Sequence, residues 1–525
     1  MKIILIIFVY TGCIYSQPTL QWDFKYSPSS GTNVALSVIS DDSGYIYSTG
    51  AIQPTNQAYY KCLLTKHLLS GDTAWFKIDG LDNDYQAGGD LILDSLKNIY
   101  VSGNPFLRKF DRNGNLIWKK SDSLSSVILP GNFILKDKEN KLIIGSEGVV
   151  GGNNSKIVVS KIDPTNGNLI WRQTVFTEAS NHPLGDIKLD KNGNIVVVGQ
   201  YGGSTPPEYS DLIVARISSE GSLLWQKRFD GLQFSSSYDI GYGIDVDDSN
   251  NIFASGLSEN AAGGGDFFTI KFKPEGDTVW TRRFNLNGGG SQGNDLDVDR
   301  NGNIYITGLT GVSNFTTIKY TNKGIFQWYR TLPGVSYPYW PVQCLDTSGN
   351  VYVACEYQRG SAKDIQVCKY DPNGNQLWVS IYPGTGSVGS SHAEKIITDK
   401  FNNVIVAGVH NYDYLVLKYS QTVNIIRTDE IIPNNYKLYQ NYPNPFNPVT
   451  KIKFSIPENI NHSKQQVDIV ISDISGKVIE KNSESLSSGV YEKTWEAKYF
   501  PSGIYFYTLH VNGLSIQTKK MILLK

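Results

Sequence analysis

The sequence predicts an all-β protein, and three observations carry that prediction. A ten-residue segment, DRNGNIYITG (299–308), returns as DDSGYIYSTG (41–50), DSLKNIYVSG (94–103), DKENKLIIGS (137–146), DKNGNIVVVG (190–199), DDSNNIFASG (247–256), DTSGNVYVAC (346–355) and DKFNNVIVAG (399–408). Behind most copies, a strand, a glycine-containing turn and a tryptophan-bearing strand follow, as in LRKFDRNGNLIWKK (107–120) and CKYDPNGNQLWVS (368–380). The composition is rich in Gly (50), Tyr (32) and Trp (10) and poor in Met (2), which suits short strands joined by tight turns. Four-stranded units repeating every ~50 residues predict a β-propeller. The expected architecture is an eight-bladed β-propeller followed by a small Ig-like β-sandwich. Seven blades is the alternative, if the short second unit (about 90–120) is not a blade of its own.

Each repeat reads as a hairpin. Asp opens a tight turn, Gly or Asn takes the φ > 0 position, and an alternating β-branched and aromatic strand leaves. The turn aspartates are Asp42, Asp94, Asp137, Asp190, Asp247, Asp299, Asp346 and Asp399. Asp at that position is expected to bond the backbone ahead of it rather than an ion. The repeat-linked tryptophans are Trp22, Trp75, Trp118, Trp171, Trp225, Trp280, Trp328 and Trp378. Their regular placement predicts packing between blades. The eighth copy has no tryptophan strand after YLVLKYS (414–420), whereas QWDFKY (21–26) lies far upstream with Trp22. The N-terminal strand is therefore expected to complete the last blade and close the ring, which removes a free edge.

The expected domains are a signal peptide (1–16), the propeller (17–419), a linker (420–435) and a C-terminal sandwich (436–525). Lys2, the apolar run 3–10 and the small Ser16 form the signal pattern. Cys13 offers the alternative of a lipoprotein cysteine. No later stretch is apolar for long enough to span a membrane. The net charge of −1 supplies no basic field for nucleic acid. Of the five cysteines, Cys344, Cys355 and Cys368 fall on successive predicted strands, where one bridge is possible, but their spacing matches no zinc pattern.

The repeats resemble the bacterial SBBP-type propeller repeat built on D-x-x-G-N-I-Y-V-T-G. That resemblance covers about 20–420; it implies the fold, ordinarily with seven blades, and no single activity. Residues 436–525 resemble the C-terminal sorting domain (type A) of the type IX secretion system of Bacteroidetes. The matching residues are Tyr442, Pro443, Asn444, Pro445, Phe446, Asn447 and Pro448, then Asp473 with Gly476, Ser502, Gly503, Ile504 and Tyr505, and the terminal run from Lys520 to Lys525. The resemblance implies passage through the periplasm, recognition by the type IX machinery, and release or display at the outer cell surface. KIDPTNGNLIWR (161–172) also resembles the tryptophan-docking repeat of quinone-dependent dehydrogenases, but the vicinal cysteine pair common there is missing.

Candidate chemistry is sparse. Asp297, Asp299 and Asn301 fit the start of a calcium loop, yet position 12 is Gly308 instead of Glu, so calcium is the one cofactor considered and none is otherwise expected. Asp90, Asp186 and Asp295, four residues before their turn aspartates, are expected at the central channel or its mouth. Tyr337, Tyr339 and Trp340 form an aromatic loop outside the repeat pattern and are the surface-contact candidates. The histidines form no H-E-x-x-H pair, and no G-x-S-x-G elbow, Walker loop or Rossmann fingerprint occurs. The expected function is a non-enzymatic binding or adhesion module for an extracellular glycan or protein. The alternative is a polysaccharide-active hydrolase or lyase with carboxylates at the channel mouth.

Overall fold

The computed structural model describes residues 18–524. Outside the description lie 29–30, 56–58, 81–85, 104–105, 122–132, 150–154, 177–181, 203–209, 230, 232–237, 262, 287–289, 312–313, 334–339, 361, 385–390, 421–424, 430–432, 459–464 and 498–499. The signal segment 1–16 falls outside it too. Among the described residues every regular element is a β-strand.

Residues 19–420 form eight four-stranded antiparallel sheets, and residues 425–523 form two more. Within the first seven sheets the strands follow chain order. Sheet six, for example, runs Ser291–Val298, Ile304–Thr310, Asn314–Tyr320 and Phe326–Pro333. In the eighth sheet, Ser391–Thr398, Val404–His410 and Asp413–Ser420 are joined by the N-terminal strand Thr19–Tyr26. The first strand of each sheet packs on the first strand of the next, and that of sheet eight packs on that of sheet one. A ring results, with first strands around a central channel and tryptophan strands on the rim. Second and third strands are buried nearly throughout, because neighbouring sheets cover both their faces.

The repeated motif explains the seams between sheets. Each turn aspartate accepts backbone N–H groups two and four residues ahead; Asp299 Oδ1 takes Asn301 N and Asn303 N, both at 2.9 Å. Its Oδ2 takes Asn303 Nδ2 at 2.8 Å and Tyr305 Oη at 3.3 Å. In the first copy Asp41, not Asp42, plays this part, bonding Ser43 N at 2.8 Å and Tyr45 N at 3.1 Å. The doublet hid the register; Asp42 is the exposed neighbour, paired with Lys97 at 3.2 Å. Where the following strand has no tyrosine, another polar group reaches the aspartate: Lys161 to Asp137 at 2.9 Å, Lys418 to Asp399 at 3.4 Å and Arg216 to Asp190 from the third strand, and Asn322 Nδ2 of the next sheet to Asp247 at 3.0 Å.

Each tryptophan from Trp22 to Trp328 covers the left-handed glycine in the last turn of the next sheet. Trp328 lies over Gly374 (φ 81°), and its Nε1 donates to Pro372 O at 3.1 Å. Lys319 donates to the same carbonyl at 2.7 Å while lying over the Tyr305 ring. Trp378 has no such turn to cover, because the eighth sheet takes its fourth strand from the N-terminus. There Tyr382 bonds Asp23 and Lys25 lies over the Tyr382 ring.

The last two sheets face each other over one core that includes Phe446, Phe454, Ile469, Trp495, Tyr507 and Leu523. The stretch expected as a linker contains a strand, Ile425–Asp429, which pairs with Gly489–Glu496. The segment Ile-Ile-Arg-Thr-Asp carries no apolar–polar alternation that would mark a strand. Half-buried Glu480 accepts from Lys493 Nζ at 2.8 Å and Trp495 Nε1 at 3.0 Å, so the buried Lys493 ammonium is paired.

The seam makes a contrast at two left-handed glycines. A Cβ at Gly374 would lie 2.6 Å from Trp328, whereas at Gly193 the nearest atom would be 3.9 Å away. Gly193→Ala is expected to cost only the left-handed backbone penalty of ~1–2 kcal/mol. Gly374→Ala adds overpacking of ~1–3 kcal/mol, so it lowers the calorimetric melting temperature about twice as far. Equal shifts would show that the indole does not limit position 374.

Candidate functional site

The channel mouth is shaped by bulges. In the first strands of five sheets one residue is left out of the ladder: Leu36, Gly185, Tyr242, Asn294 and Glu394. A bulge re-aims its extra residue away from the pleat. Gly185, Tyr242, Asn294 and Glu394 converge on one cleft of about 410 Å³, with Asp295, Trp340, Pro341 and His392. The Tyr242 and Trp340 rings meet at 5.4 Å between centroids, tilted by 51°. His392 Nε2 and Glu394 Oε1 are 2.9 Å apart.

The residue after a bulge does different work. Asp295 Oδ1 accepts Leu296 N at 2.9 Å, and Oδ2 accepts Gln343 N, from the next sheet, at 2.8 Å. Asp186 accepts Ile187 N at 2.7 Å and Ile244 N of the next sheet at 3.4 Å. Asp90 accepts Leu91 N at 2.9 Å, Ser37 Oγ at 2.6 Å and Ile134 N of the next sheet at 3.4 Å. Asp245 follows suit with Val246 N and Val298 N, both at 2.8 Å. These carboxylates therefore staple adjacent first strands. Of the three expected channel acids, Asp295 lines the cleft, Asp186 lies further in beside Lys188 at 3.3 Å, and Asp90 belongs to a seam outside it.

Lys188 has Asp186, Asp245, Asp295 and Asp297 around it, and the nearest of them, Asp186, raises its ammonium pKa most. Enclosure in the ring pushes Asp245 up to about 6, against the opposing pull of Lys188. It raises Asp295 also, and Asp297 further still because Asp295 and Asp245 repel its charge. Burial likewise raises the Cys344 thiol.

The calcium-loop residues are not gathered around one point. Asp299 spends its oxygens on its own turn, while Asp297 faces the lumen and accepts Gln343 Nε2 at 3.1 Å. Asn301 contributes its backbone N–H to that same turn. Among the described residues no group of three or more His, Cys, Asp or Glu is placed to hold a metal ion. Cys62, Cys344, Cys355 and Cys368 are free thiols. Trp340 is 48% exposed; Tyr337 and Tyr339 lie outside the described residues. The sequence reading missed Tyr242, Asn294, His392 and Glu394. A signal was present: five residues before the turn aspartate the repeats carry Gly185, Tyr242, Asn294, Pro341 and Glu394, a column without any consensus.

In the C-terminal unit the proline motif ties down the last strand. Asn444 Oδ1 accepts Ile522 N at 2.9 Å, and Phe446 N donates to Ile522 O at 3.0 Å. Phe446 is buried against Trp495, while Tyr442, Pro443, Pro445 and Asn447 stay exposed, Tyr442 at 79%. Pro443 O accepts Thr450 Oγ1 at 2.8 Å, and Ala497 N donates to Pro448 O at 2.8 Å. Tyr505 Oη donates to Pro501 O at 2.7 Å; Gly503 opens the strand paired with the last one, in which Lys520 is exposed.

Residues 440–524 match the family described as a secretion system C-terminal sorting domain, and residues 279–316 match a beta-propeller repeat family. No curated protein matches the chain. Among solved structures, Sqt1 from Chaetomium thermophilum is 10% identical, covers 75% of this chain and 96% of its own, and superposes with a TM-score of 0.50. That likeness concerns the fold alone. A polysaccharide-lyase-family ulvan lyase bound to -[GlcA(1-4)Rha3S]- is 11% identical over 75% of this chain and 95% of its own, with a TM-score of 0.43. The chain is thus an all-β protein with β-propeller repeats and a secretion sorting domain. That domain is of the type IX kind and marks the protein as secreted or carried on the outer cell surface. It implies contact with the secretion machinery, and no helix among the described residues is long and apolar enough to cross a membrane.

The lumen generates a pH prediction. A carboxyl held at about 6 when folded and near 3.9 when unfolded binds more protons in the folded state between those values. Its contribution to stability is fully favourable below about pH 4 and declines as pH rises to about 6. Asp245→Asn is expected to flatten the fall in melting temperature across that window, whatever constant offset the lost acceptor adds. An unchanged slope would assign the titration to other groups.

Proposed function

We propose that this chain is an eight-bladed propeller (17–419) followed by a linker (420–435) and an Ig-like sorting domain (436–525), exported by a signal peptide (1–16) and the type IX machinery of a Bacteroidetes-type cell. It acts at or beyond the cell surface as a non-enzymatic binding or adhesion module for an extracellular glycan or protein. The observation that carries this reading is the commitment of the channel acids. Each of Asp90, Asp186 and Asp295 accepts a backbone N–H from its own strand and one from the next sheet. A general acid or base needs an oxygen free to exchange a proton with the reacting group. What lines the cleft is instead an aromatic pair, an amide and a His–Glu pair. The surface anchor and the ring of sheets then serve display.

A second reading rests on His392 and Glu394. Their 2.9 Å contact in the same cleft as Asp295 favours a hydrolase or lyase acting on an extracellular polysaccharide. The two readings separate in one experiment. The purified full-length chain is applied to an array of polysaccharides and extracellular proteins, with binding and released products read from the same wells. Saturable binding without products, weakened about tenfold or more by Trp340→Ala, is expected. Product release that is lost on His392→Ala would establish the second reading instead.

A further inference from the structure

From the cleft at the channel mouth we infer a binding site for a hexose unit that carries no negative charge and presents adjacent hydroxyls. This inference rests on the binding-module reading and adds the ligand's chemical class.

The first argument is Asn294. Both its Oδ1 and its Nδ2 are shielded from solvent and have no hydrogen-bond partner among the described residues. Buried polar atoms in native proteins are paired, and each exception calls for a partner from outside or a functional cause. Asn294 is the unpaired residue of its bulge, so no ladder forces it into this orientation, and it lines the cleft. An amide offers one acceptor and two donor hydrogens side by side. Two neighbouring hydroxyls on a pyranose ring complement that set, one donating to Oδ1 and one accepting from Nδ2.

The second argument is the aromatic pair. Trp340 is 48% exposed and tilted against Tyr242 at 5.4 Å. The C–H face of a sugar ring stacks on such a surface while its hydroxyls stay turned toward polar groups. Gly185 lines the cleft with backbone alone, because the Gly241 carbonyl oxygen already occupies the place a Cβ would take. The volume, about 410 Å³, falls in the range of small-molecule pockets.

The third argument is charge. Asp295 and Glu394 line the cleft, and Asp186, Asp245 and Asp297 stand just inside. Lys188, Lys395 and His392 are the positive or titratable groups facing them. Burial favours the neutral forms of Asp245, Asp295 and Asp297, and Lys188 is engaged by Asp186, so this lining supplies little counter-charge for an anion. Uronates and sulfate esters would lose their solvation there without a cation to replace it; an uncharged sugar has no such cost.

The test is a panel of neutral gluco-, manno- and galacto-oligosaccharides of several linkages, set beside oligogalacturonates and sulfated galactans. Full-length chain is titrated with each by calorimetry. Binding confined to neutral sugars is expected, with an affinity insensitive to salt and about tenfold or more weaker in both Trp340→Ala and Asn294→Leu. Asn294→Leu removes a buried unpaired amide, so its melting temperature is expected to equal or exceed that of the parent, which separates lost recognition from lost folding. Preferential binding of the anionic sugars, binding untouched by both substitutions, or no neutral sugar bound at all would overturn the inference. A protein ligand lost on Trp340→Ala would keep the binding-module reading while ending the sugar assignment. Products released from a neutral sugar would do the reverse.

Discussion

The contact on which the ring depends is the indole of one sheet laid over the left-handed glycine of the next. Sheets in a ring touch mostly through apolar side chains, which attract without fixing an angle. The indole adds direction. From Trp118 to Trp328 its Nε1 donates to a carbonyl in the turn it covers, from 2.8 Å for Trp225 to 3.3 Å for Trp118, whereas Trp22 Nε1 is buried without a partner among the described residues. A basic side chain of the third strand often reaches that same carbonyl, as Lys109, Arg216 and Lys319 do. The glycine is required twice over, for its positive φ and for the space the ring fills. One sheet thereby sets the orientation of the next around the circle.

Polar groups serve the same end at the inner rim. The turn aspartates and the lumen carboxylates look alike in sequence, and both prove to be acceptors for backbone N–H groups. They differ in what surrounds them. Asp299 has an amide and a phenol as company and belongs to a local turn. Asp245 and Asp297 are enclosed away from water, which holds their protons more tightly despite the opposing pull of Lys188. These enclosed acids are the polar background that anything entering the mouth meets.

Much of this was legible in the residues. The hairpin turn could be read because Asp, Gly and Asn each have a stereochemical task there, and the tryptophan strand because it sits at a fixed distance behind that turn. The N-terminal strand could be assigned from a missing tryptophan at the far end of the chain. Two things resisted. The Asp41–Asp42 doublet offered two equivalent registers, and only backbone geometry distinguishes them. The cleft was hidden for a deeper reason. Its residues come from a column that varies among repeats, and a search for what repeats passes over it. Asp90, Asp186 and Asp295 drew notice because they recur, and recurrence here marks a shared structural task.

The bulges carry a consequence for how such a protein diversifies. Leu36, Gly185, Tyr242, Asn294 and Glu394 stand outside the strand register. Each is flanked by small or stapling residues that hold the ring together whichever side chain stands between them, except at Gly185, where the Gly241 backbone leaves no room for a Cβ. Substitutions at well-separated sheets act nearly independently. The rim is therefore a set of interchangeable letters held in a fixed frame, and a lineage can rewrite what its propeller recognises one sheet at a time without first solving the fold again.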